Sequence, residues 1–325
     1  MILIISENTD NFSLATENWL NKYGVKYFRI NSEGPIEFLT WVLTNTSCEI
    51  LLANKIGSDI LILSKTTVWH RRGRINFALN FNPMVLAKEY VEFLNNESAH
   101  LFNAMMLVLK EENHLIGTHV SQKDNRLYNQ YLAIKYGFKT PASIITSSKK
   151  RLIEFKSKYK DLVVKPISNV FMRTVGTDHL RGEIKVFNQQ YTDELPNDFF
   201  PMLFQEKIDR DFEVRVFCFN NGLYAMAVIP NRTQNDIVDV REINQKSIRQ
   251  VPIGIPSEIK NKIIKILNAL QLDTASFDFI VDTKGDFYFL ELNPYGMLNN
   301  MDIDCNFPIA KNVAKFLIQY DTREN

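Results

Sequence analysis

The chain is poor in cysteine and lacks the common sequence signatures of nucleotide loops and hydrolases. Its cysteines are Cys48, Cys218 and Cys305, which are far apart and odd in number. This pattern argues against a disulfide framework and fits a reducing compartment. The sequence has no GxxxxGK followed by Ser or Thr, no strand-linked GxGxxG, no HExxH and no GxSxG. Common nucleotide-loop and hydrolase designs are therefore disfavoured.

Charge of one sign and long apolar runs are also missing. Lys and Arg total 38 against 37 acidic residues, so the composition gives no argument for a nucleic-acid or anionic-membrane partner. No apolar stretch approaches the ~20 residues of a spanning helix, and Met1–Glu7 predicts a buried strand. With 325 residues, 45% of them hydrophobic, the chain is expected to be a globular cytoplasmic protein.

The order of apolar patterns predicts three domains, at residues 1–115, 116–200 and 201–325. In the first, short strands alternate with helices, which is typical of an α/β layer with a partly parallel sheet. The predicted strands are Ile2–Ile5, Val25–Ile30 and Ile60–Leu63, and the predicted helices lie near Asn11–Tyr23, Ile36–Asn45 and Pro83–Met106. A mixed α/β fold is expected.

The second predicted domain contains a helix that Asp124 can cap and that stops at Gly137. Ala142–Thr146 is predicted to be extended, and the strand Leu162–Pro166 leads into a polar segment without regular periodicity. We interpret that segment, Ile167–His179, as a flap.

The third predicted domain has strands at Met202–Ile208 and Phe212–Phe219. Alternation along the second strand predicts one core face, with Val214, Val216 and Cys218, and one face available for chemistry, with Glu213, Arg215 and Phe217. Pro256 starts a helix with an apolar stripe of Ile259, Ile263, Ile264, Leu267 and Leu270.

The most informative feature is the last strand pair, Phe277–Val281 and Phe287–Pro294. A hairpin with Asp278 opposite Phe289 would project Asp278, Glu291 and Asn293 from one face. Two carboxylates and an amide oxygen suit Mg²⁺ that keeps phosphates and waters as its other ligands. This hairpin predicts a site for Mg-nucleotide.

Other residues carry functional and structural readings that the sequence leaves open. Lys165 ends a strand beside the flap, where its ammonium could reach a phosphate or could simply be solvated. The segment Phe204–Ile208 could offer backbone groups to adenine, while Glu206 and Glu213 accept from its amino group or the ribose. Glu213 and Arg215 could instead form an internal ion pair.

Two further arginine-bearing segments are equally open. Arg241, on a predicted strand, could hold a carboxylate or a developing acyl phosphate, or could be an exposed strand arginine. The basic cluster Trp69–Arg74 could receive an acidic partner, and a solvated turn is an alternative interpretation.

The ordered set of these residues resembles the ATP-grasp superfamily over about residues 116 to 320. The set is Lys165, Gln205-Glu206-Lys207-Ile208, Glu213-x-Arg215, Asp278 and Glu291-x-Asn293-Pro294. Thr233, Asp239-x-Arg241, Tyr295-Gly296, Cys305-Asn306-Phe307 and Trp69-x-Arg71-Arg72 sharpen the likeness to the peptide maturases of the graspetide group. The wider resemblance covers nearly the whole chain.

This resemblance implies an ATP-grasp fold with an N-terminal pre-ATP-grasp domain, a small central domain and a C-terminal mixed or antiparallel sheet domain. Carried over by position, Lys165 binds phosphate, Gln205, Glu206 and Ile208 line the adenine pocket, and Glu213 meets the ribose. Asp278, Glu291 and Asn293 hold two Mg²⁺, and Arg215 and Arg241 face the transferred phosphate and the acyl phosphate. Arg126 replaces the usual first ATP-binding lysine, and Met297 replaces a common glutamine.

The implied activity is an ATP-dependent peptide ligase with a ribosomal precursor peptide, leader plus core, as substrate and a homodimer as the expected assembly. It would phosphorylate an Asp or Glu side chain and then close an ω-ester or ω-amide ring with Thr, Ser or Lys, releasing ADP and phosphate. Two alternatives are a ligase for a free amino acid or small molecule, and a nucleotide-binding partner protein without catalysis.

Overall fold

The computed structural model describes residues 1–53, 59–61, 66–77, 88–112, 114–117, 125–159, 161–167, 172–175, 178–181, 185–220, 222–230, 248–296, 298 and 301–323. The chain forms two compact units: Met1–Val120 with Asn306–Asn325, and Ser121–Cys305. The three-domain division at residues 115 and 200 stays a prediction. No helix in the described part of the chain is both long enough and apolar enough to cross a membrane.

The described elements are numbered separately as strands and helices. The strands are β1 (Ile2–Ser6), β2 (Tyr27–Asn31), β3 (Glu37–Leu43), β4 (Cys48–Ala53), β5 (Asp59–Leu61), β6 (Thr67–His70), β7 (Leu115–Gly117), β8 (Ser143–Ser148), β9 (Leu162–Lys165), β10 (Met172–Val175), β11 (Asp178–Arg181), β12 (Lys185–Phe187), β13 (Asp198–Glu206), β14 (Arg210–Phe219), β15 (Gly222–Pro230), β16 (Ile248–Pro252), β17 (Thr274–Asp282) and β18 (Phe287–Asn293). The helices are α1 (Asn11–Lys22), α2 (Lys88–Glu111), α3 (Arg126–Lys135), α4 (Lys149–Lys156), α5 (Gln189–Glu194), α6 (Ser257–Leu270), α7 (Met301–Asp304) and α8 (Ile309–Arg323).

The first unit is built on a parallel sheet in the order β2-β1-β6-β7. All five residues of β1 are buried, as expected for a parallel strand covered on both faces. Helix α1 begins where the Asp10 carboxylate accepts a hydrogen bond from the Ser13 amide at 3.0 Å. The predictions for β1 and α1 are confirmed.

The helix predicted near Ile36–Asn45 is wrong, because this segment contains the strand β3 in the antiparallel sheet β3-β4-β5. The β3 register shifts between Phe38 and Thr40, so Leu39 is an extra, bulged residue. Phe38 and Trp41 therefore pack against the same core despite a spacing of three. That spacing imitates a helical period in the sequence.

The second unit begins with α3, which Asn125 caps by accepting from the Tyr128 amide at 3.0 Å. The predicted cap, Asp124, lies outside the described residues. The helix ends before Gly137, as predicted. Gly137 has a φ of +82°, which glycine adopts easily. Phe138 then packs against Phe279 and Phe289 of the last hairpin, which fixes the end of α3 to β18.

Two sheets follow in this unit. The smaller is antiparallel in the order β12-β9-β13-β8, and the larger runs β16-β15-β14-β17-β18. Helix α6 covers the core face of the larger sheet with Ile259, Ile263, Leu267 and Leu270, and Ile266 is fully buried whereas Ile264 is half-buried. The predicted segment Ile167–His179 contains β10, which pairs with β11 as an antiparallel hairpin. Its movement as a flap stays a prediction.

Alternation along β14 was predicted correctly for Val214, Val216 and Cys218, but Phe217, predicted on the face available for chemistry, is only 1% exposed. Val214, Val216 and Cys218 lie in the main core of the second unit with the aromatic residues Phe277 and Phe279 of β17. Burial raises the pKa of the Cys218 thiol, which keeps it protonated and unreactive. The opposite face of β14 carries Glu213 and Arg215; we call the corresponding face of the larger sheet the site face.

Candidate active site

The last hairpin brings Asp278 directly opposite Glu291. The predicted register, with Asp278 opposite Phe289, is wrong, because Phe289 pairs with Phe279 and the register then shifts by one residue. Leu290 is the extra residue of this β-bulge. Phe289 and Leu292 are both buried in the core, and the bulge between them turns Glu291 onto the site face.

Asn293 occupies the next site-face position of β18, opposite Ser276. Its side-chain oxygen Oδ1 accepts a hydrogen bond from the Tyr295 amide at 3.0 Å, and a carbonyl oxygen retains a second lone pair for another partner. Gly296 follows with a φ of +66°, and a Cβ atom at this position would lie 2.5 Å from a ring carbon of Phe217. The chain after Asn293 therefore requires glycine to pass over the Phe217 ring.

Arg215 lies beside Asp278 on the neighbouring strand β14 and holds its carboxylate at two points. The Nε–Oδ1 distance is 2.7 Å and the Nη2–Oδ2 distance is 2.6 Å. Burial alone would lower the pKa of Arg215, but Asp278, with further contributions from Glu291 and Glu213, raises it above the ordinary value for arginine. The guanidinium is permanently charged.

The third nitrogen of this guanidinium, Nη1, is buried and has no hydrogen-bond partner among the residues that the structure describes. A buried donor without a partner costs on the order of 1–3 kcal/mol, so native proteins rarely keep one without a reason. A phosphate oxygen would satisfy it. This atom is the observation on the site face that most directly indicates an anionic ligand.

Arg126, the first residue of α3, binds the second carboxylate of the pair. Its Nη2 donates to Oε2 of Glu291 at 3.0 Å, and its Nη1 donates to the Pro166 carbonyl at 2.6 Å. Arg126 thereby joins α3, the end of β9 and the last hairpin. Each of the two opposed carboxylates, Asp278 and Glu291, is thus paired with its own arginine.

Lys165 ends β9, as predicted, and donates to Oε1 of Gln205 on β13 at 2.8 Å. Gln205 is only 4% exposed. The carboxylate of the next residue, Glu206, accepts from the Ala142 amide at 3.2 Å, and Ile208 follows β13 as a half-buried residue. Lys165, Gln205 and Glu206 thus lie on adjacent strands of the smaller sheet, and Ile208 lies just beyond β13.

The Glu213–Arg215 ion pair, one of the two sequence interpretations, is not the arrangement in the structure. Glu213 pairs instead with Arg210, whose Nη1 lies 2.6 Å from Oε1. Arg215 takes Asp278 as its partner. Arg241, with Thr233 and Asp239, lies outside the described residues, as does Met297.

The cluster Trp69–Arg74 is buried at its start, whereas Arg74 at its end is exposed, as the solvated-turn interpretation expects. Trp69 and His70 are each 2% exposed, and the Arg71 side chain lies 3.4 Å from the Asp10 carboxylate. Arg72 lies within 4 Å of both Glu7 and Asp10. Pairing with Asp10 therefore accounts for the buried Arg71 and, together with Glu7, for the partly exposed Arg72.

Neither a protein-family model nor a curated protein matches this sequence, whereas solved structures match over nearly its whole length. A RiPP-associated ATP-grasp ligase of Chryseobacterium gregarium, in complex with ADP and a leader and core peptide, has a TM-score of 0.82 at 23% identity, covering 98% of this chain and 96% of that one. The macrocyclase MdnC of Microcystis aeruginosa, bound with the precursor peptide MdnA, has a TM-score of 0.79 at 17% identity, covering 98% and 100%.

A third similar structure is the ATP-grasp ligase PsnB complexed with a minimal precursor, Mg and ADP. Its TM-score is 0.71 at 17% identity, covering 99% of this chain and 98% of that one. The chain has the ATP-grasp fold. This confirms the predicted fold class, with its mixture of parallel and antiparallel sheets.

The residues of this ATP-grasp fold fit a magnesium nucleotide by their chemistry. Asp278, Glu291 and Asn293 supply the oxygen ligands that Mg²⁺ prefers, and the buried Nη1 of Arg215 suits a phosphate oxygen. Within the described residues, no group of three or more His, Cys, Asp or Glu side chains could hold a metal ion. The proposed metal ligands are therefore two carboxylates and one amide.

Sequence reasoning missed two polar residues next to Lys165, namely Gln130 on α3 and Ser143 at the start of β8. Both contribute to the hydrogen bonding of Gln205 through the Ser143 hydroxyl. Neither residue belongs to a motif, and 62 positions separate Ser143 from Gln205 in the chain. Only the folded ATP-grasp core brings them together.

Proposed function

We propose that this chain is an ATP-dependent ligase that crosslinks a ribosomal precursor peptide. It activates an Asp or Glu side chain of the peptide as an acyl phosphate and joins it to a Thr or Ser hydroxyl or a Lys amine. The buried Nη1 atom of Arg215, beside the opposed Asp278 and Glu291, is the observation that carries this proposal. It is supported by whole-chain similarity to ligases in complex with ADP and precursor peptides.

The chemistry needs activation, because a carboxylate is a poor electrophile. A carboxylate oxygen of the peptide attacks the γ-phosphorus of ATP, the bond to the β-phosphate oxygen breaks, and ADP leaves. The hydroxyl or amine then attacks the acyl carbon, loses its proton, and expels inorganic phosphate. Each ring costs one ATP and removes one water from the peptide, and no protein nucleophile is required.

Four cationic side chains would provide positive charge for the phosphoryl transfer. Arg215 would bind the transferred phosphate through Nη1, Arg126 and Lys165 would bind the other phosphates, and Arg241 would face the acyl phosphate. Fixed cations aimed at developing charge are a major source of catalysis in phosphoryl transfer. Bound Mg²⁺, held by Asp278, Glu291 and Asn293, would neutralise phosphate charge.

The nucleoside end would bind at the smaller sheet. Gln205, Glu206 and Ile208 would line the adenine pocket, and Glu213 would meet the ribose. The pairing of Asp278 with Arg215 and of Glu291 with Arg126 implies that the nucleotide exchanges two internal ion pairs for ligand contacts. We infer that binding involves reorganisation of these four side chains.

We also propose two Mg²⁺ ions per site, a homodimer and a cytoplasmic location. Asp278, Glu291 and Asn293 would hold the two ions, which would supply positive charge for phosphoryl transfer. Magnesium titration by calorimetry in the presence of ADP measures the number of ions. Sedimentation analysis of the purified protein measures the assembly, and a monomer at all concentrations would contradict the dimer.

An isotope experiment tests the acyl phosphate directly. The cognate precursor is prepared with heavy oxygen in its Asp and Glu side chains and incubated with the protein, ATP and Mg²⁺. The proposal predicts transfer of one labelled oxygen to inorganic phosphate for each ring formed. Label in AMP, or release of pyrophosphate, would indicate adenylation instead and would refute the proposal.

A further inference from the structure

Lys165 is connected to helix α3 by a chain of partly buried hydrogen bonds. Its ammonium donates to Oε1 of Gln205 at 2.8 Å, and Nε2 of Gln205 donates to the Ser143 hydroxyl at 3.0 Å. Nε2 of Gln130 on α3 donates to the same hydroxyl at 2.8 Å. Four elements, β9, β13, β8 and α3, each contribute one side chain to this relay.

The Pro141 carbonyl sets the direction of every bond in the relay. Ser143 Oγ lies 2.9 Å from that carbonyl oxygen, which can only accept, so the single hydroxyl proton of Ser143 is donated to it. The hydroxyl can then only accept from its other neighbours, and both glutamines must present their NH₂ groups to it. Gln205 is thereby forced to point its carbonyl oxygen at Lys165.

This orientation matters because an ammonium has three donors and no acceptor. A flipped Gln205 amide would place its NH₂ group against the Lys165 ammonium and push the lysine away. In the observed orientation, the neutral amide oxygen of Gln205 accepts a hydrogen bond from the ammonium at 2.8 Å. Arg215 and Arg126 are held by carboxylates.

Helix α3 acts on the end of β9 through two residues one turn apart. Arg126 donates to the backbone carbonyl of Pro166, next to Lys165, and Gln130 acts on the Lys165 side chain through Ser143 and Gln205. Gln130 is 8% exposed and Gln205 is 4% exposed, so water has little access to the two glutamine side chains.

We infer that Ser143 and Gln130 are positioning residues that orient Lys165 toward the nucleotide phosphates. This inference rests on the proposed function, in which Lys165 binds phosphate. The two residues act through Gln205 and do not contact the nucleotide. Loss of the Ser143 hydroxyl removes the acceptor of the Gln205 amide and frees Gln205 to flip, while Gln130 retains the Pro141 carbonyl at 3.4 Å.

A double-mutant cycle tests the relay by calorimetric binding of Mg²⁺ with a non-hydrolysable ATP analogue. Ser143→Ala is expected to raise the Kd about fivefold to tenfold in the otherwise unchanged protein, and by less than about twofold in the Lys165→Met background, because coupled residues are not additive. Ser143→Thr, which keeps the hydroxyl, should restore binding. Ser147→Ala, an exposed serine on the same strand, is the matched control and should leave the Kd unchanged.

The outcomes separate the relay from the proposed function. Equal weakening by Ser143→Ala in both backgrounds, or no weakening in either, would overturn the inference while leaving the nucleotide site intact. An unchanged Kd for Lys165→Met alone would refute the phosphate role of Lys165, and the inference would fall with it. Thermal unfolding checks that each variant folds. Gln130→Met, which interrupts the relay at helix α3, is a second variant and is also expected to raise the Kd.

Discussion

The guanidinium of Arg215 and the carboxylate of Asp278 form a two-point ion pair on neighbouring strands, with distances of 2.7 and 2.6 Å. The cation proposed for the transferred phosphate and a proposed metal ligand are therefore bound to each other. Their side chains are only 17% and 19% exposed. This pair contributes to the stability of the fold as well as to the proposed site.

Replacing Asp278 should therefore affect stability as well as turnover. Asp278→Asn removes the charge that compensates the buried Arg215, and we expect a loss of about 2 kcal/mol in the free energy of unfolding. Urea denaturation measures this loss. Glu258→Gln on the exposed start of α6 is the control and should change stability by less than about 0.5 kcal/mol. Equal stability of the two variants would show that the pair contributes nothing.

Gly296 should be far less tolerant of alanine than Gly285, although both have positive φ angles of +66° and +84°. A Cβ at Gly296 would meet Phe217 at 2.5 Å and the Thr274 hydroxyl at 2.9 Å, whereas a Cβ at Gly285 would meet nothing within 4 Å. We expect Gly285→Ala to cost about 1 kcal/mol from backbone strain and Gly296→Ala about 3 kcal/mol from strain and overpacking. Denaturant midpoints of the two variants check the difference, and similar midpoints would contradict it.

Asp10→Asn isolates the buried ion pair of the first unit, because asparagine can still cap α1. The Arg71 side chain is 6% exposed and lies 3.4 Å from the Asp10 carboxylate. Burial lowers the pKa of Arg71 to about 10, although the nearby Asp10 carboxylate acts to raise it. The arginine therefore remains charged at neutral pH. We expect Asp10→Asn to lower the free energy of unfolding, measured by urea denaturation, by about 3 kcal/mol. Glu33→Gln, at an exposed site, should have little effect on the free energy of unfolding. A decrease of less than about 1 kcal/mol in the free energy of unfolding would contradict a stabilising role for the buried Asp10–Arg71 ion pair.

The Asp10 carboxylate should also make the stability of the fold sensitive to acid. Burial would raise the pKa of Asp10, but Arg71, the Ser13 hydrogen bonds and Arg72 together lower it below the ordinary value of 3.8. A lowered folded-state pKa contributes stability above about pH 4 that is lost as pH falls through the folded-state value. Asp10→Asn should therefore flatten the stability profile below pH 4, as measured by urea denaturation at several pH values. An unchanged acid slope would contradict this prediction.

Sequence patterns predicted those parts of the fold that depend on local chemistry. The apolar run of β1 and the alternation of Val214, Val216 and Cys218 follow from burial of one chain segment at a time. The end of α3 at Gly137 follows from the ease with which glycine adopts positive φ. These features require no knowledge of distant residues.

The errors lie at bulges and at contacts between distant residues. Leu39 and Leu290 each add one residue to a strand, which produced a false helix in one case and a wrong register in the other. The pairing of Arg126 with Glu291 joins residues 165 positions apart, and no local pattern encodes it. Residue type and chain order gave the candidate residues of the site, whose roles stay predictions, but they gave none of its ion pairs.

Incubation of the purified protein with ATP, Mg²⁺ and its cognate precursor peptide, followed by intact-mass analysis and nucleotide quantification, tests the central claim most directly. The account predicts a peptide lighter by one water for each ring, with one ADP and one phosphate released per ring. A peptide of unchanged mass under conditions that consume ATP, or release of AMP and pyrophosphate, would contradict it.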